Sequence, residues 1–315
     1  MMGKLLRLTM ALATVGWAHG SFAACNSSSV AVSISASPVA IPDWNPLSTS
    51  DAPSTAFTIT LTRASGNPNT DYALINLIDA NTATPIRVGN NGSFAGPQYS
   101  IKSSSVDIAF ASGATPANTL SFDFASGSSQ SQALKTATFA VTANTQNADF
   151  TSGSYTESIG YTVQCRKLSG QTDQGTYTTL SGLNLSVTVP NRLTVVTAGP
   201  QTVNFGSFTT TSQNLAISLK STGAINAAIS SANGNKMVLA GAVAPPNTPT
   251  NSLIAYTMTF DSQTVPSGGT TLTNLARSGV GGSSKSLVLT LPGLPTGKLA
   301  GTYSDTITIT LTAGS

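Results

Sequence analysis

The chain has 315 residues, a net charge of +3, 40% apolar residues and only 8% charged ones. That balance is too apolar and too weakly charged for a disordered chain. No cluster of Lys and Arg runs along it, which argues against a nucleic-acid partner.

The first segment, "MMGKLLRLTMALATVGWAHGSFAA", reads as an export signal. Lys4 and Arg7 precede an apolar stretch from Leu8 to Trp17, and Ser21-Phe22-Ala23 forms a small-residue site with cleavage after Ala23 or Ala24. The apolar run is short for a bilayer span; a retained membrane anchor is the other reading. Cleavage removes His19, the sole histidine, and leaves 12 basic against 11 acidic residues. Cys25 and Cys165 remain. In an exported protein an isolated pair reads as a disulfide. It closes a loop of about 140 residues, worth roughly 5 kcal/mol at most by chain entropy. A lipoprotein is the competing reading of "FAAC", but Phe22 stands where a lipobox wants Leu, and acylation of Cys25 would orphan Cys165.

After the signal, Val30, Val32 and Ile34 alternate with small residues as a first strand. The phrase "SPVAIPDWNPLSTS" follows at 37–50, where Trp44 is read as core rather than as a surface anchor. Phe57, Ile59 and Leu61 then alternate with Thr58, Thr60 and Thr62. A turn-rich loop, "RVGNNGSFAGPQYS", spans 87–100. Gly92, Gly96 and Pro97 flank Phe94 and Ala95 in it, so an apolar tip is held on a turn-rich scaffold; the other reading is that Phe94 folds back into the core. A second loop, "SGATPANTL", lies at 112–120. Further on, "SGSYTESIGYTVQ" at 152–164 leads through a polar loop to Leu183, Leu185, Val187 and Val189 in strict alternation. In the last segment Tyr303, Ile307, Ile309 and Leu311 share one parity. Period-two patterning between Gly, Pro and Asn turns predicts an all-β chain of antiparallel, immunoglobulin-like sandwiches.

Two such sandwiches are expected. Gly153-Ser154-Tyr155-Thr156-Glu157-Ser158-Ile159 matches Gly301-Thr302-Tyr303-Ser304-Asp305-Thr306-Ile307 at an offset of 148. "GPQTVNFGSFTTTS" at 199–212 weakly matches 37–50 in the same order, which argues for a duplicated domain. Chance similarity of Ser/Thr-rich strands is the alternative. The boundary is placed at Pro190-Asn191, giving domains 25–190 and 191–315 after the signal 1–24. The first copy is followed by another apolar strand, the second only by Thr312-Ala313-Gly314-Ser315. The sequence therefore predicts a second sandwich without its last strand. Its groove is expected between Leu193, Val195, Val203 and Phe205 on one side and Tyr303, Ile307, Ile309 and Leu311 on the other. Such an open edge is tolerable when another chain supplies the strand by β-augmentation.

The motifs "VNFGSF" and "GTYSDTITITLT" behind a signal peptide resemble the spore coat protein U domain found in subunits of archaic (Csu-type) chaperone–usher pili. The resemblance is clearer over 192–315 than over 25–190, where "IPDWNP" replaces the usual Phe-Gly. It implies an incomplete immunoglobulin-like sandwich, held by a periplasmic chaperone, passed to an outer-membrane usher and completed by a strand from an adjacent subunit. Cys25 sits at or next to the mature N-terminus, and its pairing with Cys165 ties down the end that a polymerising subunit would donate. A chain that accepts a strand without donating one ends the polymer, so the expectation is a two-domain tip adhesin at the cell surface, serving attachment and biofilm formation. Its contact with an abiotic or host surface is expected at Val88, Phe94, Ala95 and Pro97. A minor structural subunit or a secreted coat protein without ligand binding is the alternative.

Catalysis is not expected. Without histidine, Ser-His-Asp and Cys-His arrangements and His-ligated zinc sites are unavailable. "GLPTGKL" at 293–299 has the wrong spacing for a phosphate loop, with Leu299 where Ser or Thr is needed. Glu157 and Asp305 share one place in the repeated phrase and read as structural. No cofactor or metal is implied.

Overall fold

A computed structural model describes residues 25–65, 70–80, 85–116, 118–126, 130–167, 173–197 and 199–314. The export-signal assignment at 1–24 lies outside the described residues.

The alternating segments fold as strands, since β-branched and hydroxyl side chains suit a pleated, half-buried surface. The first eleven are β1 (Val30–Ile34), β2 (Val39–Ile41), β3 (Ser54–Arg63), β4 (Tyr72–Asp79), β5 (Tyr99–Ser103), β6 (Val106–Asp107), β7 (Ala109–Ala111), β8 (Leu120–Asp123), β9 (Ser131–Val141), β10 (Gly153–Arg166) and β11 (Asp173–Val189). The second eleven are β12 (Leu193–Val195), β13 (Ser212–Ser221), β14 (Ile225–Ser231), β15 (Lys236–Leu239), β16 (Leu253–Ala255), β17 (Thr257–Phe260), β18 (Gln263–Val265), β19 (Thr270–Leu275), β20 (Gly279–Thr290), β21 (Tyr303–Ser304) and β22 (Ile307–Ala313). Among the described residues the helical content is a single 3-10 turn, Thr250–Ser252.

No strand pairing among the described residues crosses from the first set to the second. In the first set one sheet runs β1-β3-β9-β5-β6. The other runs β2-β11-β10-β4-β7, with β8 also on β4. Pairing is antiparallel apart from β2 on β11 and β7 on β4. In the second set the sheet β12-β13-β20-β17-β18 repeats the first order strand for strand. The correspondence reaches single pairs: Ile59 faces Lys135 across β3 and β9, as Ile217 faces Lys285 across β13 and β20. The opposing layer differs. It consists of β19-β14-β22 beside a small sheet β16-β15-β21.

Each set packs around its own apolar cluster. The N-terminal core centres on Trp44, Ile59, Leu61, Phe122, Phe139 and Tyr155. The C-terminal core centres on Leu219, Ile225, Met258 and Phe260. Val280, from the start of β20, is buried in the N-terminal core instead, so the two sandwiches are joined by more than the linker.

Candidate functional site

The repeated phrase becomes β10 in one sandwich and β21–β22 in the other. Its first glycine has a positive φ in both copies, +129° at Gly153 and +149° at Gly301. A side chain there would meet Asn91 or Leu239 at 2.5 Å, so both copies need glycine. The tyrosine two residues on makes the same bond twice. Tyr155 Oη donates to Thr151 O at 3.1 Å and Tyr303 Oη donates to Leu299 O at 2.8 Å, in the manner of a tyrosine corner.

The neighbours of the two copies differ. β10 is paired on both edges, with β4 and with β11, and β11 in turn carries β2. Among the described residues β22 is paired with β14 alone. Where β11 stands in the first sandwich, the second has a groove of about 620 Å³. Residues 201–205, the counterpart of β2, run along its far wall without a strand partner. Of the eight residues that the sequence assigned here, Val195, Val203, Phe205, Tyr303, Ile307, Ile309 and Leu311 line the groove. Leu193 does not. It packs half-buried against the same core. Sequence reasoning missed the floor, made by Leu215 and Ile217 of β13, Leu287 and Leu289 of β20, and Met237. The alternation in "NLAISL" and "SLVLTL" would have found four of these five, because each run needs a buried face.

The cost of the missing neighbour can be read against the first copy. Tyr155, Ile159 and Val163 are each 0% exposed, flanked in the same sheet by Leu183, Leu185, Val187 and Val189 of β11. Their counterparts Tyr303, Ile307 and Leu311 are only half-buried. Phe208, with a positive φ of 57°, extends the apolar wall, T-stacked on Tyr303 at 6.3 Å and parallel to Phe205 at 6.4 Å.

One end of the groove is polar and already satisfied. Asp305 accepts from Ser231 Oγ, from Tyr256 Oη at 2.6 Å and from the backbone of Asn233 at 3.1 Å. Burial, reinforced by the bond to Asp305, raises the Tyr256 pKa. The N-terminal sandwich has a similar pair, Tyr99 Oη donating to buried Asp79 at 2.6 Å, with the Tyr99 pKa also raised by burial first. These tyrosines stay protonated donors, the structural role expected for Asp305. Among the described residues no group of three or more His, Cys, Asp or Glu could hold a metal.

Cys25 and Cys165 are bonded, with Cα atoms 5.7 Å apart. Cys25 N donates to Gln174 O at 3.1 Å, and β1 pairs with β3 from Val30 through Ile34. Trp44 is buried, its Nε1 donating to Asp51 O at 3.2 Å and its ring 4.8 Å from Phe150.

The loop 87–100 is not the free apolar tip expected from sequence. Val88 and Pro97 are buried, and Phe94 lies against the core beneath the Arg277 guanidinium of the second sandwich, 4.4 Å from the ring. Ala95 alone of the four is exposed. The cause is the junction. Arg277 donates from Nη1 to Asp149 Oδ1 at 2.9 Å and from Nη2 to Oδ2, and Val280 N donates to Asp149 Oδ1 at 3.0 Å. Arg192 makes a two-pronged bond to Asp43 at 2.6 and 2.7 Å. Thr151 Oγ1 and Ser152 N both donate to Thr222 O. Phe94 supplies an apolar wall to this contact. The described residues of 112–119 are exposed, beyond the end of β7.

No family model matches the chain, and no curated protein matches it. Solved structures do. The chain is similar to a chain of a chaperone–tip adhesin complex of CFA/I fimbriae, at 14% identity and a TM-score of 0.38, over 89% of this chain and 98% of the other. It is similar to a chain of the CsuC–CsuE chaperone–tip adhesion subunit pre-assembly complex of Acinetobacter baumannii, at 13% identity and a TM-score of 0.39, over 89% and 99%. It is also similar to the CupB6 tip adhesin of Pseudomonas aeruginosa, at 12% identity and a TM-score of 0.35, over 90% and 94%.

Proposed function

We propose that this chain is a chaperone–usher pilus subunit at the fibre tip, exported through the periplasm and joined to the fibre by a β-strand that an adjacent subunit lays into the groove beside β22. The observation that carries the reading is internal to the chain. One phrase is sealed by β11 in the first sandwich and left beside a groove of about 620 Å³ in the second. An exposed apolar groove with an unpaired edge invites aggregation, which gives a periplasmic chaperone its task and an usher its cargo. The resemblance to the spore coat protein U domain supports the same assignment.

The tip position rests on the other end. With cleavage after Ala23 or Ala24, the first mature residues enter the disulfide and β1, so Val30, Val32 and Ile34 are already spent within their own sandwich. The N-terminal sandwich, 25–190, then projects beyond the fibre on the 191–315 domain as the part that meets an abiotic or host surface in biofilm formation. The half-buried position of Phe94 beneath Arg277 favours a second reading, a terminating subunit that binds no surface, and adhesion by cells that carry or lack the chain separates the two.

The groove is tested with a synthetic peptide that copies residues 176–189, the chain's own sealing strand, added to the full chain. Saturable binding and slowed hydrogen exchange of the β22 amides are expected. Unchanged exchange of β22 at saturating peptide would refute the groove.

A further inference from the structure

The contact between the two sandwiches is also a template for the next contact down the fibre. Three connections of the N-terminal sandwich meet the C-terminal one: the segment after β2 with Asp43, the segment between β4 and β5 with Phe94, and the segment between β9 and β10 with Asp149, Thr151 and Ser152. Because the strand order repeats, the connections at 201–211, 240–252 and 291–302 occupy the same end of the C-terminal sandwich. They adjoin the mouth of the groove, into which residues 302–305 project.

This end is apolar and uncovered. Val243 is 64% exposed, Leu294 58% and Leu299 47%, three of the most exposed large apolar side chains of the C-terminal sandwich. The loops that carry them are held together before any partner arrives. Leu299 N donates to Asn251 O at 3.0 Å, Ala240 N to Thr302 O at 2.9 Å and Lys298 Nζ to Thr250 O at 2.8 Å.

Charge then distinguishes the two ends. The N-terminal end offers Asp43 and Asp149 to Arg192 and Arg277. The corresponding C-terminal connections contain no acidic residue and one cation, Lys298. In a second copy of this chain Arg192 and Arg277 are already engaged by its own Asp43 and Asp149 and covered by its own N-terminal sandwich, so that surface is not on offer to this face.

We infer that the 240–252 and 291–302 loops form a docking face for the body of the subunit whose strand fills the groove, a different chain whose facing end is apolar and uncharged or acidic. The inference rests on the groove reading above. The face adds a second, rigid contact beside the strand, as Arg277 and Val280 do beside the linker at Pro190-Asn191.

The test uses fibres from producing cells that carry either the native chain or the Val243→Ser, Leu294→Ser, Leu299→Ser variant. Leu180→Ser, at an 84% exposed site on the N-terminal sandwich, is the control. The rate at which the chain is released from heated fibres is measured, together with the affinity of each monomer for the 176–189 peptide. The expected result is roughly tenfold faster release of the triple variant, since interface changes act mainly on dissociation, with unchanged peptide affinity and a silent control. Native release from the triple variant with normal peptide binding overturns the docking face and leaves the groove intact. Failure of the native chain to bind peptide overturns both. A fall in periplasmic yield of the variant, with native release of what is assembled, assigns the face to the chaperone and also overturns the inference.

Discussion

Ile159 and Ile307 hold the same place in the repeated phrase, but one lies beside β11 and the other faces the groove. Ile159 is fully buried and opposite Leu183, so Ile159→Ala should cost about 2–5 kcal/mol, as large-to-small core changes do. Ile307 is half-buried and has only part of that burial to lose, so Ile307→Ala should cost about 1–2 kcal/mol in the free chain. Filling the groove completes its burial. The difference, roughly 1–3 kcal/mol, should then appear as an affinity for the 176–189 peptide weaker by about 5- to 150-fold. Denaturant titration would follow the N-terminal sandwich by Trp44 fluorescence and the C-terminal one by exchange of the β22 amides, and calorimetry would give the peptide affinity. Equal costs for the two alanines in the free chain would refute the reasoning, as would a peptide affinity that Ile307→Ala leaves unchanged. Either result would mean that β22 already has its full complement of neighbours.

Cys25→Ser together with Cys165→Ser should lower the stability of the N-terminal sandwich by about 2–5 kcal/mol, seen as a lower denaturant midpoint in Trp44 fluorescence, with β22 exchange unaffected. The pKa of Asp149 is held below its ordinary value of 3.8 chiefly by the hydrogen bond from Arg277. A depressed carboxylate stabilises fully above that ordinary value and loses its contribution as pH falls through the lowered one. The junction should therefore loosen only below about pH 4, measured as a longer particle in small-angle scattering, and Arg277→Ala should give the same lengthening at pH 7. Immunogold labelling of fibres with antibody to residues 25–190 should mark the ends. Label along the shaft would mean that the chain donates a strand as well as accepting one.

Period-two alternation made the all-β architecture and most of one groove wall legible, because inward residues on a two-sided sheet must be apolar. Tyr303, Ile307, Ile309 and Leu311 could be assigned from parity alone. Leu193 was misplaced because parity tells which face a residue takes and says nothing of where along the strand the cavity ends. The 87–100 loop was illegible for another reason. Its glycines and Pro97 correctly announce a turn, but whether Phe94 meets solvent depends on Arg277, 183 residues away in the chain, and on the order in which the two sandwiches stack. Arg277 itself stands in "NLARSG" with nothing nearby to mark it. Contacts between repeats carry no local period.

The strand order shared by the two sandwiches places both surfaces of the C-terminal one. A sandwich that inherits the phrase but lacks the strand beside it must keep Tyr303, Ile307, Ile309 and Leu311 apolar to hold its own core, so the groove follows from the need to fold. The charges at the stacking ends are under no such constraint. Asp43 and Asp149 stand in one end and Lys298 in the other, within the same strand order. Exposed ion pairs add little affinity. The pairs of Asp43 with Arg192 and Asp149 with Arg277 hold the two sandwiches of one chain together, and discrimination among strands at an apolar slot needs a contact outside it.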